Sequence, residues 1–265
     1  MSEAVDGGVM AASIRCFEPR LRGVVPAGAG EARVAVRRLR ARLALSTQRF
    51  DADWVWLLRR ELRWVGQAIG DVADAQALAC FVERQELDER DRTARGLLLA
   101  ELGRERGRAQ RRLIALLDSA RYERMLRDLE RPYRAPADVA KEARREWRSL
   151  RVAASAWSES RGVQERHRVA GRLDRVRHAA ELSKPGAKWA AALGDAREAL
   201  DALGETELLQ VWLRHAAGAP ATHWDLVSGQ LLERARSAER SWREEWSSRF
   251  ERAGSKDLRA WLKRG

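Results

Sequence analysis

The stretch from residue 31 to residue 43, EARVAVRRLRARL, decides the fold more than any other. Its apolar residues Ala32, Val36, Leu39 and Leu43 recur at the spacing of one helix face. The remaining positions are mostly arginine, so this pattern predicts an amphipathic helix with one buried stripe and a strongly basic flank.

The rest of the chain repeats this helical character. Ala, Leu, Arg and Glu dominate the 265 residues, and only six are proline. Because these are strong helix formers and long β-branched or aromatic runs are absent, we expect an all-α fold of antiparallel bundles joined by short connections.

The domain boundaries follow from breaks in this pattern. Residues 1–22 show no sustained periodicity and are expected to be poorly ordered. Pro132 and Pro136 mark the best boundary, which divides the chain into a first helical-bundle repeat over 23–131 and a second over 136–265.

Charge is the strongest compositional feature. Lys and Arg together number 51 against 39 acidic residues, a net charge of +12, and only five of the cations are lysine. Arginine donates two parallel hydrogen bonds to phosphate, so this composition mildly favours a polyanion partner. No apolar run is long enough to span a membrane, and the first ten residues lack signal-peptide features, so we expect a cytoplasmic protein.

Two arginine rows are the main candidate binding residues. Arg33, Arg37 and Arg40 fall within roughly a 60° arc of one helix and have almost no acidic partner nearby in sequence. Arg168, Arg172 and Arg175 repeat this spacing in the second half. If the halves face each other, both rows border one basic groove; either an anion or acids from other helices must then neutralise them.

Other candidates carry weaker signals. His167 adjoins the second row and could donate to phosphate, whereas Arg59 and Arg63 are assigned to an ordinary solvated surface. The eleven tryptophans are attributed mainly to helix packing. Phosphate-loop, serine-hydrolase and zinc-ligand motifs are all absent, which predicts no catalytic residues, no metal site and no cofactor.

With these residues in view, the chain resembles the CHAD family, named for a conserved histidine α-helical domain. The resemblance rests on the blocks at residues 32–40 (ARVAVRRLR), 62–70 (LRWVGQAIG), 116–122 (LLDSARY), 177–182 (RHAAEL) and 192–195 (ALGD). It implies two pseudo-symmetric antiparallel four-helix bundles in one compact unit. It also implies a basic central groove that binds inorganic polyphosphate without catalysis.

The chain departs from the family pattern at several positions. Gly30 stands where the first repeat's histidine is expected, and Ala73 replaces the arginine of an Arg-Asp pair. Anchoring the second repeat on Arg177 aligns His167 with the family histidine, but it puts Ala170 and Asp174 at positions expected to be basic. The repeat of the Arg33, Arg37, Arg40 spacing supports the other register, through Arg168, Arg172 and Arg175, and both registers stay open.

The sequence therefore predicts non-enzymatic polyphosphate binding in a groove between the repeats. Its candidate ligands are Arg33, Arg37, Arg38, Arg40, Arg168, Arg172, Arg175, Arg177 and His167. The resemblance adds polyphosphate or polyhydroxyalkanoate granules as partners. The alternatives are a divergent scaffold or granule-associated protein that has lost ligand binding, and, with less support, a nucleic-acid binder. The scaffold alternative predicts interhelical acids opposite Arg33, Arg37 and Arg40.

Overall fold

The computed structural model describes residues 4–5, 7–23, 28–46, 52–86, 88, 91–130, 133–134, 138–217 and 225–263. Within these ranges the chain is almost entirely helical, which confirms the all-α prediction. The α-helices are α1 (Gly7–Arg15), α2 (Glu18–Arg22), α3 (Ala29–Ser46), α4 (Ala52–Glu83), α5 (Arg92–Leu117), α6 (Ala120–Leu129), α7 (Val139–Ser160), α8 (Val163–Glu181), α9 (Ala187–Ala217) and α10 (Asp225–Ala253).

Short elements complete the described chain. Two-residue strands β1 (Ala4–Val5) and β2 (Tyr133–Arg134) pair in antiparallel fashion, and single 3₁₀ turns occupy Lys184–Gly186 and Ala260–Lys263. No helix in these ranges is both long and apolar enough to cross a membrane.

The first hydrophobic core is formed by α1 to α6. The apolar stripe of α3 is buried in it as predicted, and so are Leu58, Leu62 and Val65 of α4. Ser119 caps α6 by accepting a hydrogen bond from the backbone amide of Tyr122.

The N-terminal segment differs from the expectation of poor order over residues 1–22. Residues 7–22 form α1 and α2, and Met10, Ile14 and Leu21 are buried in the first core. These helices are too short to be stable alone, so their stability comes from packing that the local pattern does not reveal.

The second core lies among α7 to α10 and is rich in tryptophan. Trp189 is fully buried, its ring centroid lies 5.6 Å from that of Trp147, and its Nε1 donates to the carbonyl of Ala253. Trp157 and Trp246 form a second edge-to-face pair with centroids 5.6 Å apart. These rings pack helices together, as predicted; Trp224 lies outside the described residues.

A third core joins the two halves of the chain. Leu78 and Val82 of α4 and Leu98 of α5 pack with Leu209 of α9 and Leu231 of α10. Since α3 also packs against α8, the halves share extensive buried surface. The division between residues 131 and 136 stays a prediction, as does the pseudo-symmetry of the halves.

Two helices continue through glycine, a residue that is unfavourable within a helix. Gly70 lies within α4 and Gly204 within α9. A Cβ at Gly204 would overlap the guanidinium of Arg166, which donates to Glu207 at 2.9 Å. This glycine therefore makes room for a largely buried ion pair within a continuous helix.

Candidate anion-binding groove

A groove of about 750 Å³ opens between α3 and α4 of the first half and α8 and α9 of the second. Eight arginines, three aspartates and one histidine are among its lining residues: Arg33, Arg37, Arg40, Arg59, Arg63, Arg168, Arg175, Arg197, Asp71, Asp74, Asp174 and His167. The ionised side chains of this lining are therefore mainly cationic.

Arg33, Arg37 and Arg40 of α3 face this groove because the neighbouring apolar stripe faces the core. Val36 is 2% exposed and lies between Arg33 and Arg37 on the helix. A Cβ at Gly66 of α4 would sit 3.2 Å from Val36, so glycine there allows α4 to approach α3 closely. This approach brings Arg59 and Arg63 of α4 to the same groove as Arg40.

Arg33 and Arg37 have carboxylate partners from distant helices. Arg33 donates to Asp74 of α4, and Arg37 Nη1 donates to both carboxylate oxygens of Asp201 in α9 at 2.9 and 3.1 Å. These two contacts match the expectation of the scaffold alternative.

Arg197 extends the second contact into a buried network. Its side chain is 8% exposed and pairs with Asp174 at 3.0 Å and with Asp201. Burial alone would raise the pKa of Asp201, but the charges of Arg197 and Arg37 and their hydrogen bonds lower it. Asp174, which departs from the family pattern, therefore serves as a counter-charge for an arginine of another helix.

Arg40, Arg59 and Arg63 differ from Arg33 and Arg37 in having no carboxylate partner among the described residues. No carboxylate in the described part of the chain lies within ion-pair distance of any of them, and Arg40 Nε is buried without a hydrogen-bond partner there. Burial lowers the pKa of Arg40, and the charges of Arg63 and Arg59 lower it further. Burial and the charge of Arg63 also lower the pKa of Arg59.

Helix α8 supplies His167, Arg168 and Arg175 to the groove. Arg168 is mostly exposed and pairs with Glu165 at 3.2 Å, whereas Arg175 lies 3.6 Å from Glu146. Burial and the charges of Arg166 and Arg33 lower the pKa of His167.

Three predicted ligands do not line the groove. Arg172 turns to α7, where it donates to Glu146 at 3.0 Å. Arg38 and Arg177 line a separate small pocket around His178 and Glu181. Helical phase alone does not explain the difference, since Arg172 lies on the same face of α8 as Arg168 and Arg175; its side chain contacts Glu146 of α7 instead.

Neither alignment of the second repeat matches the groove lining completely. In the register through Arg168, Arg172 and Arg175, Arg172 does not line the groove. In the register anchored on Arg177, the positions of His167, Ala170 and Asp174 line it but Arg177 does not. The facing rows of arginine expected from α3 and α8 are therefore incomplete, and α4 supplies much of the second basic wall.

Sequence reasoning missed Arg59, Arg63 and Arg197. The first two flank the apolar stripe of Leu58 and Leu62, which was an available signal that they border a helix interface. Arg197 is flanked by Asp195, Glu198 and Asp201, so its sequence context is that of an exposed i, i+4 ion pair and gave no signal that it is buried.

Metal ligation finds no support among the residues with described positions. No three His, Cys, Asp or Glu side chains there are grouped so that they could hold a metal ion. Cys16 and Cys80 are free thiols.

Comparison with known proteins identifies the family to which this chain belongs. The chain is similar to the solved structure of PptA from Streptomyces chartreusis, with a TM-score of 0.73 and 20% identity over 92% of this chain and 97% of that one. It is also similar to the CHAD domain from the plant Ricinus communis, with a TM-score of 0.61 and 20% identity over 97% of this chain and 89% of that one. No curated protein matches it significantly. The CHAD domain model matches residues 10–217, most of the chain, and the protein therefore belongs to the CHAD family.

Proposed function

We propose that this protein binds inorganic polyphosphate, without catalysing its turnover, in the groove lined by α3, α4, α8 and α9. The observation that carries the proposal is the excess of eight arginines over three aspartates around one opening of about 750 Å³. Membership of the CHAD family supports polyphosphate as the anion, because the family resemblance implies this ligand.

The mechanism is multivalent charge neutralisation. Each guanidinium can donate two parallel hydrogen bonds to a phosphate group, and each contact releases counterions from the polyanion. Affinity should therefore fall steeply with salt concentration.

The proposed direct contacts are the groove-lining arginines and the nearby histidine. They comprise Arg33, Arg37, Arg40, Arg168, Arg175 and His167 from the sequence analysis, to which we add Arg59 and Arg63. Arg38, Arg172 and Arg177 are assigned no direct contact, because they are not among the residues that line the groove.

A scaffold that has lost ligand binding is the second candidate, favoured by two ion pairs. Asp74 and Asp201 already neutralise Arg33 and Arg37, as this alternative predicts. Arg40 favours polyphosphate binding instead, because no carboxylate in the described chain pairs with it. Association with polyphosphate or polyhydroxyalkanoate granules is compatible with either candidate.

The test is a titration of the full chain with long-chain polyphosphate at physiological salt, with duplex DNA as competitor. We expect tight binding that DNA displaces poorly. Absence of binding would favour the scaffold, and displacement by DNA on equal terms would favour a nucleic-acid binder.

A paired set of variants separates a site from general charge. Arg40→Gln with Arg63→Gln removes two charges from the groove, whereas Arg148→Gln with Arg151→Gln removes two exposed charges from α7. The groove pair should weaken binding by about 100-fold or more, since charge-assisted hydrogen bonds contribute about 1.5–3 kcal/mol each. Equal losses in both pairs would contradict a groove site.

A further inference from the structure

Positive charge is distributed unevenly along the groove. At one end, Arg33 is paired with Asp74, and Asp71 adds a further carboxylate, which Arg112 approaches to 3.5 Å. Among the residues that the structure describes, this end therefore carries cations and anions in similar number.

The centre of the groove is also nearly neutral. Arg37 and Arg197 share Asp201, and Arg197 additionally pairs with Asp174. Two guanidinium charges are thus balanced by two carboxylates, which tie α3, α8 and α9 together.

The remaining end holds a compact cluster of cations: Arg40 of α3, Arg59 and Arg63 of α4, and Arg175 of α8. Arg175 shares Glu146 with Arg172 and Arg145, and the other three have no ion-pair partner among the described side chains. Burial and the charges of neighbouring arginines lower the pKa of Arg40, Arg59 and Arg175, and the charges of Asp174 and Glu146 oppose this only in part. An anion placed among these arginines therefore gains the most.

We propose that the groove grips its ligand at this end, where Arg40, Arg59, Arg63 and Arg175 form a site for a short run of consecutive phosphate groups. This inference rests on the proposed function and deepens it by naming the ligand length. With roughly one phosphate per guanidinium fork, the cluster is satisfied by about three or four phosphates.

A longer chain gains little by continuing along the groove. Its next phosphates would meet arginines already neutralised by Asp174 and Asp201, and then the carboxylates of Asp71 and Asp74. Contacts with paired arginines require those pairs to be broken or shared, which offsets the attraction.

The first experiment compares linear phosphates of increasing length by calorimetry with the full chain. The series runs from pyrophosphate through tripolyphosphate and tetrapolyphosphate to long-chain polyphosphate. The concentration of long-chain polyphosphate is expressed as the concentration of possible binding segments of four consecutive phosphates. This removes the apparent increase in affinity that arises because one chain offers many equivalent segments. We expect affinity to rise steeply up to three or four phosphates and then to change less than about threefold.

The second experiment compares matched variants at the two ends. Arg59→Gln with Arg63→Gln should weaken tripolyphosphate binding about 100-fold or more, and should reduce the slope of log affinity against log salt by about 2. Arg33→Gln with Arg168→Gln removes two cations that already have carboxylate partners, Asp74 and Glu165, so its loss of affinity should be at least tenfold smaller than that of the cluster pair. If this double variant does not fold, Arg168→Gln alone, which leaves the Arg33–Asp74 pair intact, replaces it in the comparison.

Three results would overturn the inference. Equal losses at both ends, or affinity that keeps rising with length after the statistical correction, would indicate a ligand held along the whole groove. Long-chain binding without tripolyphosphate binding would overturn this inference and leave the proposed function intact. If the unmodified protein binds no linear phosphate of any length, both fail.

Discussion

Replacement of Arg59 by glutamine should stabilise the free protein and at the same time weaken polyphosphate binding. The reason lies in the surroundings of this side chain. Arg59 and Arg63 are one helical turn apart on α4, both line the groove beside Arg40, and none of the three has an ion-pair partner in the described chain. Removing one charge relieves repulsion in the free protein but also removes a donor to the ligand.

Both effects can be estimated. Like charges spaced by four residues on a helix destabilise it by about 0.2–0.5 kcal/mol, and relief from Arg40 adds a similar amount. The melting temperature should therefore rise by roughly 1–3 °C for a chain of this size. Loss of one charge-assisted contact of about 1.5–3 kcal/mol corresponds to about 10- to 100-fold weaker binding.

The assay is thermal unfolding without ligand, combined with a tripolyphosphate titration of the same preparation. Arg148→Gln on the exposed face of α7 is the control and should change neither quantity appreciably. A lower melting temperature for Arg59→Gln together with unchanged affinity would refute the reasoning, because it would mean that Arg59 is a structural cation.

Four further predictions concern stability, pH and affinity. Arg197→Met leaves Asp174 without its partner and should lower the free energy of unfolding in urea by about 3–5 kcal/mol; a loss near that of Arg148→Met would show that the buried network contributes little. Gly229→Ala in α10, where a Cβ has open space, should stabilise the protein by up to about 1 kcal/mol. Gly204→Ala should not, because its methyl group displaces Arg166 from Glu207; equal gains in the two variants would contradict this account. Burial lowers the pKa of His178 below 6.5 against a hydrogen bond to Glu181, with Arg42 and Arg38 of α3 adding to the lowering. The unfolded state therefore binds the proton first as pH falls, so stability should decrease from pH 7 to pH 5, and by less in His178→Gln; identical pH profiles would exclude this histidine as the cause. Gly30→His adds a side chain in open space one turn before Arg33 and should tighten polyphosphate binding a few-fold at pH 6 relative to pH 8, whereas Gly103→His on α5 should not.

Local periodicity predicted much of the fold because it reports directly on burial. The stripe through Val36 and Leu39 is buried as its spacing requires, and the same phase sends Arg33, Arg37 and Arg40 to the groove. Sequence periodicity failed where stability comes from tertiary contact. The helix around Met10 and Ile14 has too few residues to show a pattern, and the reason for a glycine at position 204 is invisible in the sequence because Arg166, for which it makes room, lies on another helix.

The sequence by itself determined that this protein is helical, strongly basic and provided with a phased row of arginines on α3. Only the tertiary structure decided which of those arginines are already neutralised. Asp74 lies 41 residues from Arg33 and Asp201 lies 164 residues from Arg37, so these pairs arise from the packing of α3 against α4, α8 and α9. Among the residues that the structure describes, that packing gives Arg40 no carboxylate partner and places it beside Arg59 and Arg63. The side-chain charge is a local property, but its neutralisation depends on distances across the fold, which no spacing along one helix specifies.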